Sequence, residues 1–209
     1  MKKKITIVDY GAGNILSLKR ALEHLSLDVD VTIDTNKIVN ASYLILPGDG
    51  AFGYAIKQLK RKKIYQHILS HINKNRPFLG ICLGMQLLLT ESYEFGKHKG
   101  FNVIKGKISK IKSSKYAKIP AIGWSEIIIN KNHNKIRNIN FKEFNKSNFY
   151  FVHSYKAEVQ NNKDLIGYYI HGGVKISAII GKDNMIGTQF HPEKSGEVGL
   201  NLIRNFIKL

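Results

Sequence analysis

The sequence predicts an α/β fold, with a central, mostly parallel sheet carrying helices on both faces and a strand-rich C-terminal half. Two observations carry this prediction. Up to residue 81, short apolar runs rich in β-branched residues alternate with segments whose apolar residues recur at helical spacing, the pattern of a parallel sheet buried on both sides. From residue 103 the rhythm changes to strand-length runs separated by polar turns, and helix returns only near the C-terminus. A chain of 209 residues buries one sizeable core, and no repeat, linker or composition shift divides it, so residues 1–209 read as one domain.

Residues 4–9 form the first predicted strand, and 17–25 then place Leu18, Ala21, Leu22 and Leu25 on one helical face. Strands are predicted at 29–33 and 43–46, helices at 53–59 and 64–72, and a strand at 77–81. The strand-rich half has predicted strands at 108–111, 126–129, 149–152, 165–170, 176–180 and 185–189, followed by a helix at 198–207. The Lys- and Asn-rich stretch 131–148 reads as a long loop.

Composition excludes several function classes. The formal net charge of +18 invites nucleic acid, whose phosphates reward clustered cations. Lysine carries nearly all of that charge, however, and is spread through 57–63, 105–118 and 131–146 without arginine forks or interleaved aromatics, so no nucleic-acid partner is expected. The longest apolar runs, such as 43–46 and 127–129, are far below the ~20 residues of a membrane-spanning helix. The N-terminal Met1-Lys2-Lys3-Lys4 leads into a strand ended by Asp9, not a signal peptide, so a cytoplasmic protein is expected. Cys82 is the sole cysteine, which rules out an internal disulfide and leaves a free thiol.

That thiol sits in Gly80-Ile81-Cys82-Leu83-Gly84-Met85-Gln86, between an apolar strand and an apolar helix. A lone cysteine is more often a small core hydrophobe. Glycines two before and two after it reverse those odds, because they permit the strained strand-to-helix turn of a nucleophile elbow. A helix N-terminus beside the sulfur favours a thiolate, and the Leu83 amide is placed for a developing oxyanion. Gln189-Phe190-His191-Pro192-Glu193 follows a predicted strand and sets a carboxylate two residues from an imidazole, close enough to orient it. Taken alone, His191 could simply cap a strand with Glu193 in solvent. Leu46-Pro47-Gly48-Asp49-Gly50 is a strand entering a glycine turn whose amides could complete an oxyanion hole, or only a tight turn. Gly11-Ala12-Gly13-Asn14 has the look of a dinucleotide loop, but Leu16 occupies the third glycine position and the acidic partner is ambiguous between Asp30 and Asp34.

The three segments around Gly48, Cys82 and His191, in this order, closely resemble the class I glutamine amidotransferases. With Asp9-Tyr10-Gly11-Ala12-Gly13-Asn14, Gly123-Trp124, Phe151-Val152-His153-Ser154-Tyr155 and Glu193-Lys194-Ser195, the likeness spans nearly the whole chain and is greatest to glutaminase subunits of imidazole glycerol phosphate synthases. The resemblance implies a single amidotransferase domain with a triad of Cys82, His191 and Glu193 that hydrolyses L-glutamine. It implies an oxyanion hole from the amides of Leu83 and the Gly48, Asp49, Gly50 turn, and glutamine binding by Gln86, Ser154 and Tyr155. His153 is then structural. Tyr10, Gly11, Asn14, Gly123 and Trp124 are expected to face a partner, a (β/α)₈ cyclase subunit forming a heterodimer. Ammonia would pass to that subunit for synthesis of imidazole glycerol phosphate and an aminoimidazole carboxamide ribotide in histidine biosynthesis, with no metal or organic cofactor.

Two segments depart from that pattern. Asp49 stands where a small apolar residue is usual, and Ala121-Ile122-Gly123-Trp124-Ser125 stands where His-Met-Gly-Trp-Asn is more frequent. Asp49 near an oxyanion is electrostatically unfavourable unless its side chain points away, so a changed basal activity or control by the partner is expected. The second departure lies on the partner-facing surface and fits a paralogue that supplies ammonia for amidination of a surface sugar. A non-catalytic scaffold and a hydrolase of another amide are further readings, disfavoured by the complete triad and by Gln86 with the Val152 to Tyr155 segment.

Overall fold

The computed structural model describes residues 3–113, 115 and 117–209; Met1 and Lys2 of the basic N-terminal run, and 114 and 116 of the second lysine-rich stretch, lie outside them. The first half runs β1 (Lys4–Val8), α1 (Ile15–His24), β2 (Asp28–Thr32), α2 (Thr35–Asn40), β3 (Tyr43–Leu46), α3 (Phe52–Arg61), α4 (Tyr65–Asn73) and β4 (Phe78–Ile81). A single-turn helix, α5 (Leu83–Gln86), follows at once, then β5 (Glu91–Ser92), β6 (His98–Lys99), β7 (Gly106–Lys110), β8 (Ala121–Glu126) and β9 (Ile128–Ile129). The chain continues through β10 (Asn148–His153), β11 (Tyr155–Val159), β12 (Leu165–His171), β13 (Val174–Lys182), β14 (Met185–Thr188) and α6 (Gly196–Phe206).

Eight strands form the central sheet in the order β2-β1-β3-β4-β14-β13-β12-β9. The five from β2 to β14 are parallel and the last three antiparallel, the mostly parallel sheet expected. Alternation along each parallel strand divides the core into two layers. Ile5, Ile7, Ile45 and Leu79 pack with Leu18 and Leu22 of α1 and Leu202, Ile203 and Phe206 of α6. Val8, Leu44, Leu46 and Phe78 pack on the opposite face with Ile38 of α2, Ala55 and Leu59 of α3, and Ile68 of α4. Each such aliphatic side chain contributes roughly 1.5–3 kcal/mol through burial, so the two layers hold the sheet ends where the loops of the site leave it. A four-stranded sheet, β11-β7-β5-β6, and the β8–β10 pair complete the architecture.

Local signals explain most elements. The Asn14 side chain accepts from Ser17 N–H at 3.0 Å and starts α1, whose buried face is Leu18 and Leu22. The short α2 was not predicted; its cap is Asp34, which accepts from the N–H groups of Asn36 and Lys37 at 2.8 and 3.1 Å, and six residues are too few to display a period. The expected strand at 126–129 is two strands in different sheets, divided at the buried Ile127. The two-residue β5 and β6, and β11, were not predicted either; their pairing partners lie elsewhere in sequence. The 131–148 loop is not wholly solvated, because Phe141 and Phe144 pass through a 3₁₀ turn into the core.

Candidate active site

Cys82 occupies the junction of β4 and α5 with φ of 52° and ψ of −107°. This conformation costs a non-glycine residue roughly 1–3 kcal/mol, and such strain collects at reacting groups. The flanking glycines make it possible by close approach rather than by flexibility. A Cβ on Gly84 would collide with the carbonyl oxygen of Leu46 in β3, and one on Gly80 would stand 2.6 Å from Gly84 O. The helix expected after the cysteine is only one turn, so its dipole is a small aid to a thiolate. Cys82 N–H donates to Thr188 O at 2.7 Å, which fastens the elbow to the end of β14.

That attachment brings in the second segment. β4 and β14 pair in parallel with Ile81 opposite Thr188, so the residues after both strands emerge at the same sheet end. His191 is held there by its N–H donating to Tyr150 O at 3.0 Å and by Ser195 Oγ donating to its carbonyl at 2.6 Å. Its Nδ1 lies 2.8 Å from Glu193 Oε1, and the Cys82 side chain is near enough to act electrostatically on the ring. Both side chains of the His191–Glu193 pair are largely buried. Burial opposes a charge on the ring, but the Cys82 and Glu193 partners outweigh it and push the His191 pKa up to about 10. The ring is therefore an imidazolium at neutral pH, facing a sulfur. These groups border a cavity of about 600 Å³ that is also lined by Asn14, Asp49, Gln86, Glu94, Ser154 and Tyr155.

A profile of the glutamine amidotransferase class-I family matches residues 6–209. The chain belongs to the class I glutamine amidotransferases. It is 44% identical over 202 residues to the imidazole glycerol phosphate synthase subunit HisH of Caldanaerobacter subterraneus, covering 97% of this chain and 96% of that one. To the HisH 1 subunit of Legionella pneumophila it is 40% identical, over 98% of this chain and 99% of that protein. The solved structure of PurLQS from Thermotoga maritima superposes with a TM-score of 0.74 at 20% identity, covering 100% and 99% of the two chains, a likeness of fold.

In this amidotransferase Gln86, Ser154 and Tyr155 line the same cavity as Cys82, and two further residues that sequence reasoning missed stand close by. Gln86 Nε2 donates to Gln189 Oε1 at 3.0 Å and to Tyr155 O at 3.4 Å, and Gln189 Nε2 in turn reaches Cys82 Sγ at 3.6 Å. Gln189 was visible only as a flank of the histidine segment. Glu94 is the other; it is buried, lines the cavity and accepts from Phe52 N–H at 2.6 Å where α3 begins. A carboxylate held inside an acidic-poor, lysine-rich chain was the available signal. His153 is buried with both ring nitrogens engaged, Nδ1 2.7 Å from Tyr155 O and Nε2 2.7 Å from the Tyr169 hydroxyl, and it also lines the cavity. Burial lowers its pKa to about 4, so it stays neutral.

The oxyanion turn holds a different arrangement from the one anticipated. Leu83 N–H donates to Gly48 O at 3.3 Å, so in this state the turn occupies the amide that an oxyanion needs. The Asp49 Oδ1 accepts from Gly13 N–H at 2.9 Å and ties the turn to the Gly11 to Asn14 loop. Among the residues expected to face a partner, Gly11, Asn14 and Trp124 are exposed and Gly123 is half-buried. Tyr10 is a correction: its side chain is wholly buried among Leu46, Leu83 and Met85, because the end of β1 turns it under the oxyanion turn. Among the described residues, no group of three His, Cys, Asp or Glu side chains is placed to hold a metal ion, and no helix is long and apolar enough to cross a membrane.

Proposed function

We propose that this chain is a glutaminase that hydrolyses glutamine to glutamate and ammonia with Cys82 as nucleophile, His191 as acid and base, and Glu193 as the residue that orients it. The observation that carries this reading is the line from Glu193 through His191 to Cys82 at the floor of a cavity walled by Gln86, Glu94, Ser154 and Tyr155. The Cys82 thiolate attacks the side-chain amide carbon, and the tetrahedral oxyanion is held by the Leu83 amide and amides of the Gly48, Asp49, Gly50 turn. His191 passes its proton to the departing nitrogen, the C–N bond breaks and ammonia leaves a γ-glutamyl thioester. Acylation removes the negative charge of the sulfur, one of the two partners that sustain the imidazolium. The neutral ring then takes a proton from water, which attacks the thioester and releases glutamate. Gln86 and the Glu94 carboxylate suit the α-ammonium of the substrate, and Ser154 and Tyr155 suit its carboxylate.

The relatives at 40–44% identity over nearly their full length support a role as the glutaminase subunit of an imidazole glycerol phosphate synthase in histidine biosynthesis. The partner in this reading is a (β/α)₈ cyclase that receives the ammonia. Ile122 and Trp124 are both large, apolar and more than half exposed on β8, and β8 pairs with β10 so that Ile122 lies opposite Val152 of the cavity wall. An apolar rim beside a polar cavity is the surface that a partner covers. Glutamate release by the purified chain, alone and with each candidate cyclase barrel, tests the reading. Activity rising many-fold with one barrel in a one-to-one complex is expected; no release with any barrel that binds would overturn it.

A second expectation concerns Asp49. With the Gly48 carbonyl on the Leu83 amide and Asp49 tied to Gly13, glutamate release by the free chain is restrained. Asp49→Ala is expected to raise that basal kcat several-fold with little change in KM, whereas Asp49→Asn, which keeps an acceptor for Gly13, stays nearer the parent. Equal activation by both variants would instead assign the effect to the charge.

A further inference from the structure

Tyr10 presents an anomaly that the glutaminase reading does not use. Its side chain has no exposed surface, and its hydroxyl is a buried oxygen without a hydrogen-bond partner. A phenylalanine would fill the same space without leaving a buried polar group unpaired. The hydroxyl lies against the oxyanion turn: a Cβ added to Gly48 would collide with it and would stand 3.0 Å from Leu83 Cβ. Gly48 is the residue whose carbonyl accepts the Leu83 amide at 3.3 Å. One unpaired donor thus lies beside the Cα of the residue whose carbonyl must be displaced before Leu83 N–H can bind an oxyanion.

We propose that Tyr10 is a positioning residue for the reaction: when the Gly48 carbonyl leaves the Leu83 amide, the Tyr10 hydroxyl takes that carbonyl over and leaves the amide free for the tetrahedral intermediate. The inference rests on the glutaminase reading given above. Rotation of the peptide between Gly48 and Asp49 moves the carbonyl oxygen while the Gly48 Cα stays beside the phenol, and glycines at 48 and 50, the latter with φ of 85°, let the backbone turn. The phenol remains a donor throughout, because burial first, and then the charges of Asp49 and Cys82, raise its pKa. Without the hydroxyl, the displaced carbonyl would be buried unpaired and the reactive arrangement of the turn would be less populated.

The test is Tyr10→Phe in the complex with the activating cyclase partner. Three quantities are read: kcat and KM for glutamine, the rate of Cys82 alkylation by iodoacetamide, and the thermal unfolding midpoint. The expected result is kcat lowered about tenfold, a fraction of what losing a direct oxyanion donor costs, with KM and alkylation each within about two-fold and a midpoint equal to or above that of the parent. An unchanged kcat in Tyr10→Phe beside an active parent overturns this role and leaves the glutaminase standing. A midpoint lowered by several degrees overturns it as well, since the hydroxyl would then have a structural partner in the resting fold. A parent that releases no glutamate with any partner overturns both readings together.

Discussion

Cys82→Ala is expected to abolish glutamate release, with kcat down by roughly four orders of magnitude or more, because Cys82 is the sole thiol of the chain and stands at the elbow facing His191. The informative companion is Cys82→Gly. The position holds φ of 52° and ψ of −107°, which alanine tolerates no better than cysteine and glycine adopts freely. In most settings glycine is less stable than alanine because it loses more backbone freedom on folding. At this elbow the order should invert, with Cys82→Gly more resistant to urea than Cys82→Ala by about 1 kcal/mol, the lower end of the strain that such a conformation stores. Both variants lack the sulfur, so the comparison isolates backbone strain from lost packing. A more stable alanine variant would show that the elbow is relaxed and that the close approach of Gly84 to Leu46, not strain at the nucleophile, fixes the turn.

Glu193→Gln is expected to lower kcat by about 10² to 10⁴, the range spanned by loss of a positioned acid–base group. Glutamine occupies the same volume but brings an amide that cannot sustain the imidazolium. The pH dependence of stability carries the same information. His191 has a folded pKa of about 10 against 6.5 for the ordinary ring. A group whose pKa is raised by folding contributes stability that is complete below the unfolded value and is lost as pH climbs through the folded one. The parent should therefore lose stability between about pH 6.5 and 10 through this group, and Glu193→Gln should narrow that window from its upper end. Urea unfolding at a series of pH values measures it. A parent and variant with superimposable profiles would show that Glu193 does not support the charge, and that its uncoupled, buried Oε2 marks a different role.

The Asp49 and Tyr10 expectations act on the opposite side of the sulfur, at the turn rather than the imidazole. They share no hydrogen bond with the His191–Glu193 pair, so double variants across the two sides should combine nearly additively.

What the sequence by itself determined is what short-range sterics decide. Glycines at 80 and 84 around Cys82 encode a turn that only small residues permit, and His191 with Glu193 two residues on encodes a contact made inside one turn. The alternation of β-branched runs with helical faces likewise encodes the parallel sheet, because each period reports on neighbours one or two turns away. Only the tertiary structure decided which groups meet across the sheet. Gln189 reaches Cys82, 107 positions away, because β14 pairs with β4 in one register, and a slip of one residue would aim the side chain at the other face. Glu94 enters the cavity from a two-strand edge too short to leave a pattern, and Tyr10 turns inward because burial under Gly48 outweighs the loop position that its neighbours share. The state of the Leu83 amide was likewise beyond the sequence: a backbone donor has no side chain to announce whether it waits for an oxyanion or is already held by Gly48.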